Sequence, residues 1–431
     1  MNSIAAKVYN KMLLHRIQPH IDPILSWTQA GFRKSRSTLS NILALRRIIE
    51  GIRLKNIPLT MVFVDFCKAF DSINRDQMFK ILEAYGIPNE IINAIKVIYK
   101  DNIAAVITPT GLTEFFRVLS GIFQGDTLAP FLFIIVIDYV LRKTYRACPG
   151  AGIDLVPRRG SRQPATHLGD LSYADDVTLL SYYRDKAQEL LHSLEQAASQ
   201  VGLLVNADKT KVMSINNSTT PQLVTASNTP LKDSHTFKYL GSLVPDSYKD
   251  FKQRKAQAWS AMAKLDRVWK SNISRKCKLH FFQASVESIL LYGAETWTFT
   301  QEMENRVNGC YTRLLRKALN VRWQDHLTNQ ELYQNLPKLS TKIRARRLRF
   351  AGHCARALDQ PVSKCLFWTP QNGHISRGRP RITYTHNLLN DTNQQETNEL
   401  LTLMQDRESW NDLIDNLPTD EHMINPPTGD R

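Results

Sequence analysis

Two adjacent carboxylates interrupt an otherwise apolar pair of predicted strands within the segment Leu168–Ser181. The acids, Asp175 and Asp176, follow Tyr173 and Ala174 at the point where one strand would turn into the next. Unpaired carboxylates there repel each other and lose hydration, so a divalent cation is the simplest group that could neutralise them. A solvated surface turn is the alternative for an isolated pair. The pair is therefore a candidate metal site that needs partners elsewhere in the chain.

A third acid, Asp65, ends an apolar, strand-like run that begins at Leu59. A buried strand rarely carries an acid without a functional or structural partner. Further segments with unusual composition follow in a fixed order. They are a loop at residues 120–130 with Gln124 and Gly125, a turn at 202–211 with Lys209, and an aromatic, basic strand at 237–241 with Tyr239.

Taken in order, these five segments resemble motifs A to E of reverse transcriptases. They are most similar to the LINE-type, non-long-terminal-repeat retrotransposon branch and its RTE-like members. The resemblance covers residues 5–270, and residues 29–38 are similar to a fingers-region motif of that branch. It implies an α/β (α+β) fold, a right-hand polymerase palm and fingers with a helical thumb and a basic, mainly helical C-terminal extension. The implied domains are partial fingers at 1–58, a palm with remaining fingers elements at 59–245, a thumb at 246–300 and a basic C-terminal region at 301–431.

The resemblance also implies a metal-dependent chemistry for the three acids. Asp65, Asp175 and Asp176 would hold two Mg²⁺ ions, and Asp175 would be the stricter ligand of the adjacent pair. One ion would lower the pKa of a primer 3′-hydroxyl, and the other would bind the nucleotide triphosphate. Carboxylate ligands also suit Mn²⁺. Lys209, or alternatively Lys211, would supply a cation near the leaving pyrophosphate, although a solvated lysine is the commoner outcome.

Nucleotide recognition is assigned by the same resemblance. Phe70 occupies the position of a steric gate, where an aromatic ring would clash with a 2′-hydroxyl; the alternative is an ordinary core residue. Gln124 and Gly125 match the motif B pair that approaches nucleotide and template. The alternative is that they form a simple turn into the next helix. Arg33 and Arg36 could contact phosphates or template as a basic fork, or lie as surface charge at a helix start.

Other candidate nucleic-acid contacts are aromatic or basic side chains farther along the chain. The basic run at residues 342–349 is either such a contact or a solvated helix face. The sequence Arg377–Pro380 resembles the core of an AT-hook. Zinc is not expected, because the spacing of His353, Cys354, Cys365 and His374 matches no familiar zinc site. The candidate contacts are Arg36, Tyr239, Lys252, Arg254, Arg346 and Arg347.

Composition is compatible with a nucleic-acid partner. The 431 residues carry a net charge of +16, and the sequence pI is about 9.6, which favours binding to a polyanion. The six cysteines are scattered, which favours a reducing compartment without disulfides. The most apolar segment, residues 131–141, is too short for a membrane span and contains Asp138. The sequence predicts a soluble intracellular protein without a membrane partner, found in cytoplasm and nucleus as a ribonucleoprotein.

Hydrophobic periodicity predicts the elements that position these residues. A hairpin is expected from residues 103–107 and 114–119, and two short strands are expected to bracket residues 216–230. Basic helices with an apolar face at 249–269 and 274–291 would form the thumb, and helical structure would continue from 301 to 348. Upstream helices are predicted at residues 4–24, 39–54, 75–85, 88–99, 131–141 and 184–201.

The sequence predicts an RNA-directed DNA polymerase that uses an RNA template, a DNA primer or target and dNTPs. The rival is a catalytically weak remnant that binds RNA in a ribonucleoprotein. Relatives carry a basic strand and an endonuclease domain upstream of the segment that begins at Ser3. Their absence here predicts truncated fingers, an increased nucleotide KM, and little change in duplex binding. The oligomeric state stays open.

Overall fold

The structure is a computed structural model that describes residues 3–156, 165–217, 220–375, 378 and 381–416. The chain forms two compact units. Unit 1 comprises residues 1–41 and 56–235, and unit 2 comprises residues 42–55 and 236–431. Most of the second helix belongs to the C-terminal unit, and the boundaries of fingers, palm and thumb expected from the motifs stay a prediction.

Unit 1 contains the central sheet. Its described strands are β1 (Leu59–Val64), β2 (Ile103–Ala104), β3 (Ile107–Thr108), β4 (Gly111–Leu112), β5 (Phe116–Arg117), β6 (Ile153–Val156), β7 (Thr166–Leu168), β8 (Asp170–Tyr173), β9 (Asp176–Ser181), β10 (Lys211–Ile215) and β11 (Lys232–Asp233). Five of them form one sheet in the order β11-β10-β1-β9-β8, antiparallel except for β10 and β11. Every residue of β1 is buried, which explains why its sequence is continuously apolar rather than alternating.

Helices supply the remaining core of unit 1. Those described are α1 (Ile4–Ile21), α2 (Thr38–Leu54, shared with unit 2), α3 (Ala69–Ser72), α4 (Arg75–Ala84), α5 (Asn89–Tyr99), α6 (Ala129–Ala147) and α7 (Arg184–Ser199). α7 packs on β1, β9 and α6, and α6 also packs on α4. All six helices predicted upstream of residue 202 are present, and α6 is longer than expected because its buried face continues to Thr144.

The segment between α5 and α6 differs from the simple hairpin expected. It forms two nested strand pairs, in which β2 pairs with β5 and β3 pairs with β4. These strands are short and mostly exposed, so no buried face fixes a longer register. The two strands expected around residues 216–230 are confirmed as β10 and β11, and they pair in parallel.

Unit 2 is mainly helical. Its described strands are β12 (Phe237–Tyr239) and β13 (Ser242–Val244), and its described α-helices after α2 are α8 (Ser247–Lys264), α9 (Asp266–Lys270), α10 (Arg275–Phe282), α11 (Ser288–Leu291), α12 (Gln301–Ala318), α13 (Asn329–Tyr333), α14 (Leu339–Arg356), α15 (Pro361–Cys365), α16 (Tyr384–Thr392), α17 (Thr397–Gln405) and α18 (Arg407–Asp415). A π-helical turn at Gln283–Glu287 joins α10 to α11. Trp269 and Trp297 are fully buried in its core. The mixed α/β (α+β) class and the helical character of the C-terminal part are confirmed.

Among the residues that the structure describes, no helix is both long and apolar enough to cross a membrane.

Candidate active site

The hairpin of β8 and β9 places the adjacent acids at one end of the central sheet. Tyr173 pairs with Asp176, so Ala174 and Asp175 form a two-residue turn. Ala174 has a φ of +54°, a conformation that costs a residue with a side chain roughly 1–2 kcal/mol. β1 pairs with β9 up to Val64, opposite Val177. Asp65 follows Val64 directly, and its charge acts on both Asp175 and Asp176.

The three carboxylates influence each other. Burial raises the pKa of Asp175, and the nearby charge of Asp65 raises it further. Burial also raises the pKa of Asp176 to about 6, with added repulsion from Asp175 and then Asp65. Oδ2 of Asp65 is buried and accepts no hydrogen bond from the described residues. The site therefore holds more negative charge than its surroundings neutralise.

Lys209 is the cation that the structure brings to this site. Its Nζ lies 3.7 Å from Oδ2 of Asp65, and its side chain is 70% exposed. The backbone of the same turn is tied to the strand end, because the Asn206 amide donates to the Asp65 carbonyl at 2.8 Å. Lys211, the alternative cation, lies in β10 opposite Phe63. The geometry favours Lys209 over Lys211 as the lysine beside the carboxylates.

A magnesium ion fits this donor set. No group of three or more His, Cys, Asp or Glu side chains in the described part of the chain is assembled closely enough to hold a metal by itself. Mg²⁺ does not need such a cage, since it is usually held by one or two carboxylates together with substrate phosphates. The orphaned oxygen of Asp65 and the raised pKa values of Asp175 and Asp176 are what a site for a hard cation requires.

The raised pKa of Asp176 predicts a pH effect on the metal-free protein. A carboxyl whose folded pKa is raised adds stability below its unfolded pKa, near 3.8, and loses it as the pH rises through about 6. We therefore expect Asp176→Asn to raise the Tm above that of wild type at pH 7 and to leave it nearly equal at pH 4. Thermal unfolding in EDTA at both pH values measures this difference. An equal Tm difference at both pH values would contradict the raised pKa of Asp176.

Phe70 lies at the start of α3, five residues after Asp65. Its ring stacks on Phe133 with centroids 4.6 Å apart and planes 12° from parallel. The Phe70 carbonyl accepts a hydrogen bond at 2.8 Å from the amide of Ile122 in the motif B loop. Phe70 is half-buried, so the ring is fixed on one side by the core and is not enclosed on the other.

The motif B loop packs directly on α3. Gly121 has a φ of +80°, and a Cβ there would lie 2.6 Å from the carbonyl oxygen of Asp71, so glycine is required. Nε2 of Gln124 donates to Oδ1 of Asp71 at 3.1 Å. Gly125 has a φ of +85° with open space around it. The structure thus brings Phe70, Gln124 and Gly125 to one loop junction.

Gln29 is a site residue that sequence reasoning did not single out. Its Oε1 accepts hydrogen bonds from the amides of Ala174, at 2.9 Å, and Gly31, at 2.8 Å. Its side chain is fully buried, and a Cβ at Gly31 would lie 2.3 Å from the Ala174 nitrogen. The amide of Ala30 also donates to the Ser172 carbonyl at 2.9 Å. Residues 29–31 therefore clamp the strained turn that carries Asp175. The sequence carried no direct signal for this role, because the partner of Gln29 lies 145 residues away.

We expect Gln29→Met to slow nucleotide incorporation by about a hundredfold, the effect of misplacing a reacting group by about 1 Å. Methionine keeps the volume but leaves the Ala174 amide without its acceptor, a loss of about 1–3 kcal/mol. If the clamp positions Asp175, the Mg²⁺ concentration for half-maximal activity should rise while template binding is retained. Gln196→Met, on the exposed face of α7, is the control. An unchanged Mg²⁺ requirement would reduce Gln29 to a packing role.

The two fingers-region arginines lie in different environments. Arg33 is buried; its Nε contacts Oδ1 of Asp22 at 2.8 Å, and its other nitrogens donate to backbone carbonyls. All three guanidinium nitrogens are engaged within the fold, so the structure does not favour Arg33 as a nucleotide contact. Arg36 is half-buried and donates to the Trp27 carbonyl at 2.7 Å. Lys34, between them, is exposed.

The candidate contacts around α8 also divide by burial. Lys252 is exposed, with Nζ 4.7 Å from the ring centre of Tyr248. Arg254 is buried, lies 4.4 Å over the Tyr292 ring and donates to the Gly241 carbonyl. Tyr239 is only 2% exposed. Of these, Lys252 alone presents its charged or aromatic group to solvent.

The basic run of α14 is largely neutralised within unit 2. Arg347 is buried and pairs with Asp391, so it does not reach a nucleic-acid backbone without losing that partner. Arg346 contacts Oε1 of Glu295 at 2.6 Å, with 43% of its side chain exposed. Lys342 contacts Glu287 at 2.8 Å. Charge density alone predicted a surface for Arg347, and its acidic partner lies 44 residues away.

Two weaker motifs of the C-terminal region carry no site in the described residues. Arg377, Arg379 and Pro380 of the AT-hook-like sequence lie outside the described residues. Cys354 and Cys365 are buried, and burial raises the pKa of the Cys365 thiol to about 12.

Similarity to known proteins agrees with this geometry. An uncharacterized transposon-derived protein of Caenorhabditis elegans is 28% identical over 271 residues, 57% of this chain and 94% of that protein. The retrovirus-related Pol polyprotein of a type-1 retrotransposable element R2 from Popillia japonica is 24% identical over 392 residues, 88% of this chain and 53% of the polyprotein. The corresponding R2 polyprotein of Nasonia vitripennis is 27% identical over 257 residues, 57% of this chain and 24% of its own length. The chain thus spans a quarter to a half of these R2 polyproteins.

Among solved structures, apo telomerase from Candida tropicalis aligns with a TM-score of 0.39 and 13% identity. The alignment covers 85% of this chain and 61% of the telomerase chain. This similarity is too low to bear on function. The family model described as reverse transcriptase (RNA-dependent DNA polymerase) matches residues 1–244, more than half of the chain. That match gives the assignment: the chain belongs to the reverse transcriptase family.

Proposed function

We propose that this chain extends the 3′-hydroxyl of a primer with deoxynucleotides on an RNA template. The observation that carries the proposal is the convergence of Asp65, Asp175 and Asp176 at one end of the central sheet, with Lys209 beside them. Membership of the reverse transcriptase family supports the same reaction. The RTE-like subtype expected from the motifs stays a prediction, since the relatives named above are R2 elements.

In this proposal the carboxylates of Asp65 and Asp175 hold the divalent ions, with Asp176 adjacent. The chemistry that bound Mg²⁺ supplies is a lowered pKa of the attacking hydroxyl and neutralisation of charge on the phosphoryl oxygens. Lys209 stabilises negative charge developing on the leaving pyrophosphate. Phe70, Gln124 and Gly125 form the surface beneath the incoming sugar, and the stack on Phe133 keeps the Phe70 ring in place.

The nucleic-acid contacts proposed outside the catalytic residues are those whose cations remain accessible. Lys252 keeps this role, Arg346 retains part of its surface, and a contact by the half-buried Arg36 stays a prediction. Arg33, Arg254 and Arg347 instead stabilise the fold, since each is buried against polar partners. Tyr239 is buried as well, so an aromatic contact from it is not part of the proposal.

Primer extension tests this function. The 431-residue chain is incubated with a DNA primer annealed to an RNA template, the four dNTPs and Mg²⁺. We expect products complementary to the RNA and release of one pyrophosphate per nucleotide. Binding of the primer–template without extension, at any Mg²⁺ or Mn²⁺ concentration, would favour the rival function of a non-catalytic RNA-binding protein.

A further inference from the structure

A cavity lined by several charged side chains lies entirely within unit 2. Its volume is about 370 Å³, at the lower end of the range of roughly 300–1,000 Å³ found for small-molecule sites. It is bounded by the last turns of α2 and by the first residues of α8, α12 and α16. Three arginines line it: Arg46, Arg53 and Arg381. None of the candidate catalytic residues does so.

Arg53 and Arg381 are like charges held close together. Burial lowers the pKa of the Arg53 guanidinium, and the charge of Arg381 lowers it further. Within the part of the chain that the structure describes, neither guanidinium has a carboxylate within 4.0 Å. Two guanidinium groups in this arrangement are stabilised by an anion between them.

The carboxylates that line the same cavity are already engaged. Glu50 pairs with Arg47. Asp246 caps α8, accepting from backbone amides of its first turn at 2.8 and 3.1 Å. Glu302 contacts Arg306 at 2.6 Å. The charge of Asp246 partly offsets the effect of Arg381 on the pKa of Arg53, but no acid of the described residues forms an ion pair with Arg53 or Arg381.

Two further features favour an anion here. The cavity is lined by residues of the first turns of α8 and α12, and a helix N-terminus favours a nearby anion. Arg46 is 7% exposed and lines the cavity, and its Nε donates to no acceptor among the described residues. Its other nitrogens donate to Ser247, Leu243 and Asp250, which fixes the cavity wall.

We propose that this cavity binds a phosphate group, held chiefly by Arg53 and Arg381. A guanidinium matches phosphate oxygens with paired hydrogen bonds, and two of them neutralise a doubly charged anion. The phosphate belongs either to a nucleic-acid backbone or to a free phosphate anion. The site goes beyond the proposed polymerase function, since it would hold nucleic acid or an effector away from the acids that perform the reaction.

The first measurement uses inorganic phosphate and the full chain. We expect phosphate to raise the Tm of wild type in a concentration-dependent manner, compared with chloride at equal ionic strength. The double variant Arg53→Gln/Arg381→Gln should lose this rise, and Arg53→Lys/Arg381→Lys should keep part of it. Arg349→Gln/Lys276→Gln removes the same charge from exposed positions of unit 2 and should respond like wild type.

The second measurement distinguishes the sources of phosphate. The affinity for single-stranded RNA is measured at several salt concentrations, and the logarithm of the association constant is plotted against the logarithm of the salt concentration. If the site binds a nucleic-acid phosphate, the slope of this plot should become shallower in the glutamine variant by about 0.7 per lost contact. This change should exceed the one seen in the matched control. A phosphate effect on Tm with an unchanged slope indicates a free anion. Equal responses of the glutamine variant and the control in both measurements would overturn the proposal. Neither measurement uses nucleotide incorporation, so failure here leaves the polymerase assignment untouched.

Discussion

Replacing Asp175 by asparagine is expected to slow nucleotide incorporation by about a thousandfold or more. Asparagine keeps the shape of the side chain but removes one charge from the carboxylate group. A metal site contributes several kcal/mol of transition-state stabilisation, and each 1.36 kcal/mol is about a factor of ten in rate. Single-turnover extension of a primer on an RNA template gives the rate, and an equilibrium titration gives the affinity for the primer–template.

The affinity for nucleic acid is expected to change little, because Asp175 contributes no positive charge. Asp101→Asn is the matched control: Asp101 is exposed in the same unit, and its φ of +50° is a conformation that asparagine also adopts. The control should extend primers like wild type. Retention of more than about a tenth of the wild-type rate by Asp175→Asn would remove Asp175 from the catalytic group, since the loss would then be under about 1.4 kcal/mol.

Replacing Phe70 by valine or alanine is expected to raise ribonucleotide use relative to deoxynucleotide use by at least about tenfold. A factor of about ten is the lower end of the substrate discrimination that one contact in a binding pocket provides. The ring is held by its stack on Phe133, so removing it opens space rather than letting another group move in. The ratio of kcat/KM for the two sugars, measured for each variant, gives the discrimination.

Phe70→Tyr keeps the ring and its stack on Phe133 and should therefore retain the wild-type preference. Loss of the stack also costs stability, about 0.5–1.5 kcal/mol for the aromatic pair beyond buried area, so each variant needs a thermal unfolding curve. If a folded and active Phe70→Ala enzyme shows the wild-type ratio, Phe70 acts only as a packing residue and the sugar is selected elsewhere.

Much of the candidate site could be predicted because acids within apolar strands are conspicuous. Asp65 and Asp175 stand out against a hydrophobic pattern, and strand pairing then forces them together. The helices of unit 1 were equally accessible, since their buried faces recur at helical spacing. The local hydrophobic pattern was enough to predict an element wherever that element has one buried face.

The burial of individual arginines could not be predicted in the same way. Arg33 and Arg347 belong to basic segments that suggest a surface, yet each is buried against an acid distant in sequence. Gln29 illustrates the same limit, because its partner Ala174 lies 145 residues away. Sequence pattern reports charge and periodicity, whereas these roles depend on which distant group completes a hydrogen bond.

The most direct measurement of the metal site is a Mn²⁺ titration followed by electron paramagnetic resonance. The full chain is saturated with a primer–template whose 3′-end lacks the hydroxyl and with the matching dNTP, so that no reaction occurs. We predict that wild type binds Mn²⁺ in this complex and that Asp65→Asn/Asp175→Asn does not, while Asp101→Asn binds like wild type. Equal Mn²⁺ binding by wild type and by Asp65→Asn/Asp175→Asn would contradict the assignment of the metal-dependent reaction to these carboxylates.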